Sequence, residues 1–106
     1  MLDNELVFTH QQYEKKLNWD DAVLYCSLLM IDGYSDWRMP TILELHYLGS
    51  ISLNECTGKY YWSVDVRNDD SICVQFFDKK PPRRHQVYQS KSHQCFVKPV
   101  RSPKID

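Results

Sequence analysis

Apolar positions along the chain follow two rhythms. From Asn18 to Gly33 they recur at Trp19, Ala22, Val23, Cys26, Leu29 and Met30. That spacing predicts a helix over about 19–31 with one buried face. Asn18 is a strong N-cap residue, Asp20 and Asp21 sit where the helix dipole favours anions, and Leu17 can staple onto the first turn. Gly33 supplies a stop signal. Thr41 and Glu44 then form a T-x-x-E capping box. Ile42, Leu45 and Leu48 carry a second helix to about Leu48, closed by Gly49.

Beyond Gly49 the rhythm shortens. Tyr60-Tyr61-Trp62-Ser63-Val64 and Ile72 to Phe77 are aromatic and β-branched, which predicts two strands. Asn68-Asp69-Asp70 is a turn signal between them. Lys79 to His85 reads as a basic, proline-bearing loop, and Gln86-Val87-Tyr88 as a short strand. Residues 94–101 read as the last strand, with an edge position or bulge at Pro99. A short strand or extended arm is expected near 5–9. Helices followed by strands predict an α+β fold with a small antiparallel sheet.

Composition narrows the class without naming a function. The chain has 106 residues, 42% hydrophobic and 25% charged, with a formal net charge of -1. This fits a single domain over 1–106, with its core in about 5–101 and a frayed tail at 102–106. It excludes disordered, collagen-like and coiled-coil classes. Apolar runs such as Leu28 to Ile31 are too short to span a bilayer, so no membrane association is expected. The N-terminus lacks the basic and apolar regions of a signal peptide, so a cytoplasmic protein is expected; a secreted chain trimmed of its leader would read the same. The 13% aromatic content is expected to supply much of the core. Cys26, Cys56, Cys73 and Cys95 contain no C-x-x-C. In a reducing compartment they are expected as free buried thiols; an oxidising one would permit two disulfides with three connectivities.

Four stretches together point to a family. They are Trp19-x-x-Ala22-x-x-Tyr25-Cys26, Gly33-Tyr34-x-Asp36-Trp37-Arg38-Met39-Pro40-Thr41-x-x-Glu44-Leu45, Tyr61-Trp62-Ser63, and Val97-Lys98-Pro99-Val100-Arg101. In this order, over about residues 17–101, they resemble the bacterial DUF1566 family, the Legionella collagen-like adhesin C-terminal domain family. The resemblance implies a C-type-lectin-like fold, in which two helices flank a small twisted antiparallel sheet and the termini meet in one sheet. Two positions depart from the family pattern. Pro99 stands where the final strand usually has a cysteine, and Val64 replaces a serine. The first departure removes a helix-to-last-strand disulfide of the family kind.

Candidate sites divide into scaffold and surface. Trp19, Asp36, Trp37, Arg38, Pro40, Thr41, Glu44 and Trp62 are read as structural, with Arg38 satisfying buried carbonyls or a carboxylate such as Glu44. A ligand-facing ion pair beside an aromatic is the functional alternative for Asp36-Trp37-Arg38. Loop aromatics such as Tyr34 and Tyr88 suit exposed stacking better than the tryptophans do. Asp65, Asn68, Asp69 and Asp70 form an oxygen-rich cluster, read as a solvated turn in preference to a cation site. His93-x-Cys95 has no second paired motif to make a metal site. Lys79, Lys80, Arg83, Arg84 and His85 form a basic patch on an otherwise near-neutral chain.

No nucleophile elbow, P-loop, dinucleotide fingerprint or H-E-x-x-H occurs. The expected function is therefore a non-enzymatic binding module without a metal or cofactor. Loops around 65–71 and 78–93, including Asp65, Asp69, Asp70 and Tyr88, would present the recognition surface. A protein partner is the leading expectation, in a phage or mobile-element setting. The alternative is a sulfated glycan or other polyanion on the 79–85 loop, a class linked to the family's namesake. Nucleic acid is disfavoured, because the patch lacks interleaved stacking aromatics. A homodimer is compatible with the sequence. A small metal protein or enzyme using His93 and Cys95 is the third reading.

Overall fold

The computed structural model describes residues 6–78 and 84–102, with Arg84 described through its backbone. The elements run β1 (Val7–Phe8), a 3-10 turn (Gln11–Tyr13), β2 (Lys15–Leu17), α1 (Trp19–Leu28), α2 (Ile42–Cys56), β3 (Tyr60–Asn68), β4 (Ser71–Phe77), β5 (Arg84–Ser90), β6 (Cys95–Val97) and β7 (Val100–Arg101). The α+β class holds. The sheet, however, is mixed. Its five strands lie in the order β2-β6-β3-β4-β5, and β6 runs parallel to β3 through Tyr61 and Phe96. The remaining pairings are antiparallel. Residues 91–94 carry the chain from edge strand β5 to the far side of β3, which sets that parallel pair. On the way the Lys91 carbonyl accepts a hydrogen bond from Trp19 N at 3.1 Å.

The chain ends meet, but in a separate two-stranded ribbon, β1 with β7. Lys98-Pro99 splits the expected last strand in two. Proline cannot donate to a ladder, and Pro99 instead offers its carbonyl to Thr9 N at 3.1 Å.

Alternation along the strands serves one helix on each face. On one side Trp62, Ile72, Val74, Cys95 and Val97 pack with Ala22 and Cys26 of α1 and with Met39. On the other, Tyr61 and Phe77 pack with Leu45, Leu48 and Cys56 of α2. All four cysteines are buried and unpaired.

Helix α1 is shorter than its apolar spacing predicts. It stops at Leu28, and Leu29 takes an extended backbone. Met30, beyond that end, is 68% exposed, and Val23, within the helix, is 37% exposed off its buried face. Gly33 does not cap this helix. With φ of 84° it follows Asp32 at 52°, and Ile31 and Tyr34 exchange both backbone hydrogen bonds around them at 3.1 and 2.9 Å. Two central residues of positive φ make the tight Asp-Gly hairpin turn.

Helix α2 is longer than expected. It passes through a buried Gly49 to Cys56, with a kink at Ser52. The apolar period continues to Leu53 and Cys56, both of which pack on the second core. That burial outweighs the helix cost of one glycine, about 1 kcal/mol.

Candidate functional site

The Gly33–Glu44 stretch is stitched to the last strand. Arg38 and Val100 exchange backbone hydrogen bonds at 2.8 and 2.9 Å. Since β7 also pairs with β1, three segments far apart in the sequence, around residues 8, 38 and 100, lie side by side. Ion pairs lock the arrangement. Arg38 donates to both Glu44 oxygens at 2.8 and 2.7 Å, and to Ser102 Oγ at 2.7 Å. Burial pushes the Glu44 carboxyl up, but its bonds from Arg38 and Thr41 outweigh this and hold it below its ordinary range. Asp36 pairs with Arg101. Nε and Nη2 of Arg101 donate to the two Asp36 oxygens at 2.6 and 3.2 Å.

Between the terminal ribbon and the Asp32-Gly33 hairpin lies a cleft of about 290 Å³. Phe8, Tyr13, Tyr34 and Trp37 give it aromatic walls, with Asp32 and Arg101 as its charged groups. The Arg101 guanidinium lies 3.8 Å from the Tyr34 ring centroid, a cation–π stack. Its side chain is only 12% exposed, whereas Asp36 is 48% exposed. Tyr34 keeps half its surface open. Trp37 is 7% exposed and donates its indole N–H to the Tyr34 carbonyl at 3.1 Å. Thr9 also lines the cleft, and its buried hydroxyl has no hydrogen-bond partner among the described residues. Among the described lining residues Asp32 supplies the carboxylate, and the guanidinium of Arg101 is paired with Asp36. Such a cleft can hold a cationic or aromatic side chain.

The structure scatters the other sequence candidates. Trp62 is fully buried and donates to the Leu17 carbonyl at 2.7 Å. Trp19 rims the first core and donates to the Ser63 carbonyl at 2.9 Å. Pro40 is buried, and its carbonyl accepts from Val64 N at 3.0 Å. Thr41 and Glu44 complete the capping box.

Asp65 leaves the acidic cluster altogether and accepts a 2.7 Å hydrogen bond from Ile42 N at the start of α2. Asp69 and Asp70 stay at the β3–β4 turn, where Asp70 N donates to Asn68 Oδ1. Among the described residues no three His, Cys, Asp or Glu side chains gather as a metal site. Cys95 is buried in the first core, while His93 lies in the turn before β6.

The expected recognition loops are corrected in part. Residues 65–68 belong to β3 and 84–90 to β5, because β5 pairs with β4 over its full length from Ser71↔Ser90 to Phe77↔Arg84. His85 and Tyr88 are thus strand residues. His85 stacks on Phe76 and lies 3.2 Å from Asp78, and Tyr88 lies under the Arg67 guanidinium. Lys79, Lys80 and Arg83 lie outside the described residues, as does the Arg84 side chain. Among the described residues no helix is long and apolar enough to cross a membrane.

Sequence reasoning picked out Tyr34, Asp36, Trp37 and Arg101 but did not join them into a cleft. It missed Phe8, Tyr13 and Asp32 as its lining. The available signal was Asp32-Gly33, a hairpin dipeptide read only as a helix stop.

These features define a two-helix α+β domain whose chain ends are zipped together beside an aromatic cleft. A family model described as Lcl C-terminal domain matches residues 2–101. The chain belongs to that family, also called DUF1566. No curated protein matches the sequence.

Proposed function

We propose that this chain is a non-enzymatic binding module on a C-type-lectin-like scaffold, and that it recognises a protein partner by seating a basic side chain in the aromatic cleft. The carrying observation is the cleft itself, built from family-signature residues Tyr34, Trp37 and Arg101. Its aromatic walls attract a cation through their ring faces, and Asp32 supplies a countercharge. Arg101 is already bonded to Asp36, so its charge is offset within the fold and the Asp32 carboxylate faces the cleft.

Selection of random displayed peptides on the immobilised protein tests this reading. Peptides enriched in Lys or Arg are expected, with enrichment reduced at least tenfold by Asp32→Asn or Tyr34→Ala. Enrichment that ignores both substitutions, or turnover of a substrate in a broad activity screen, would sink it.

The second reading is polyanion binding through Lys79, Lys80, Arg83 and Arg84, favoured by that basic run in the sequence. Heparin retention abolished by Ala at these four positions, with no peptide selected by the cleft, would favour it instead.

A further inference from the structure

The five-stranded sheet has two edges, and they differ in kind. Strand β2 has three residues, two of them the exposed Lys15 and Lys16. Short length and lysines are the usual protection against edge pairing. Strand β5 has seven residues, contains no proline or lysine, and pairs with β4 in unbroken register. Among the described residues no strand covers its outer side. The side-chain contacts of His85, Gln86 and Tyr88 run to Asp78, His46 and Arg67. A long, regular edge free of proline and lysine is a template for another strand.

We infer that the outer edge of β5 pairs antiparallel with β5 of a second copy of this chain, joining two sheets into one. The self-complementary register argues for a second copy over an unrelated strand. Centred on Val87, the pairing sets His85 against Gln89, Gln86 against Tyr88, and Val87 against itself. Arg84 meets Ser90. No like charges oppose one another, and each pair shares one face of the joined sheet. Val87 packs on the rim of the first core. Two such residues side by side would continue apolar packing across the junction. A net charge of -1 offers little repulsion between copies.

Charge-paired variants of the full chain test this proposal. His85→Glu with Gln89→Glu sets four carboxylates in two opposed pairs across the two-fold axis. His85→Lys with Gln89→Lys does the same with ammonium groups. By light scattering from micromolar to millimolar concentration, the unsubstituted chain is expected to approach twice its 12.7 kDa mass. Each variant alone is expected to stay at the single-chain mass, and an equimolar mixture to recover the doubled mass. Val87→Cys, independently, is expected to cross-link into dimers under mild oxidation, while Leu43→Cys on the exposed face of α2 does not. An unsubstituted chain that stays monomeric at millimolar concentration overturns the inference. So does a dimer that survives in either charged variant, a mixture that fails to reassociate, or equal cross-linking at both cysteines. Circular dichroism on each variant separates loss of pairing from loss of fold.

Discussion

Glu14 carries more of the fold than its place in a polar stretch suggests. Its side chain is 3% exposed and accepts from Lys59 at 3.0 Å, Lys98 at 2.8 Å and the Tyr61 hydroxyl at 3.2 Å. Lys98 is as deeply buried as Glu14, whereas Lys59 keeps partial access to water. The cluster joins the segment before β2, the start of β3 and the link between β6 and β7. Removing the carboxylate would leave the Lys98 charge buried without compensation. Glu14→Ala is therefore expected to cost about 3–5 kcal/mol in urea unfolding, more than a surface ion pair would. Replacing Glu14 and Lys98 together by Met should recover most of that loss. A cost under about 1 kcal/mol for Glu14→Ala would show that water reaches the cluster freely.

At the scale of elements, helix α2 shows how local and distant residues share one helix end. Thr41 Oγ1 accepts from Glu44 N at 3.1 Å, and Glu44 reaches back to Thr41 N at 2.9 Å. Both were legible as a four-residue motif. The third device, Asp65 on Ile42 N, comes from β3 and is invisible to local sequence reading. Thr41→Ala is expected to cost about 1 kcal/mol in thermal or urea unfolding. Asp65→Ala should add to it only partly, because the two side chains satisfy the same helix end. Full additivity would mean that the caps act independently. The same contrast explains the helix ends: Gly33 and Gly49 read alike as stops, yet one forms a hairpin and the other lies inside a helix. Glycine marks permissiveness, and the packing of Leu53 and Cys56 decides its use.

For the whole molecule, the four buried thiols tie stability to pH. Burial pushes Cys26 up to about 12 and Cys95 up to about 11, and raises Cys56 and Cys73 as well. The folded state thus keeps these thiols protonated where the unfolded chain would ionise. Their contribution is complete below the unfolded thiol range near pH 8.5 and is lost as pH rises through the folded values. Each thiol still protonated in the fold costs up to about 1.4 kcal/mol per pH unit above that point. The melting temperature is expected to fall steeply between pH 9 and 11, and less so in a Cys26→Ala, Cys95→Ala variant that still folds. A flat profile over that range would contradict buried, unpaired thiols. Native-state alkylation at pH 8 should be slow at all four positions.

The sequence alone determined the two helices, the strand-rich second half, the capping box and the family, because these rest on periodicity and short-range chemistry. It also offered Glu44, only a few positions away, as one of the possible partners of Arg38; the bidentate geometry came from the structure. Tertiary structure decided what depends on distant segments meeting. It paired Asp36 with Arg101, set β6 parallel to β3, buried Glu14 between two lysines, and placed β5 at an edge of the described sheet. Each required a pairing between residues far apart in the chain, and no local pattern specifies which partner will arrive. The cleft follows the same rule: its aromatic residues were all visible in the sequence, but only the zipping of the two chain ends brought them to face one another.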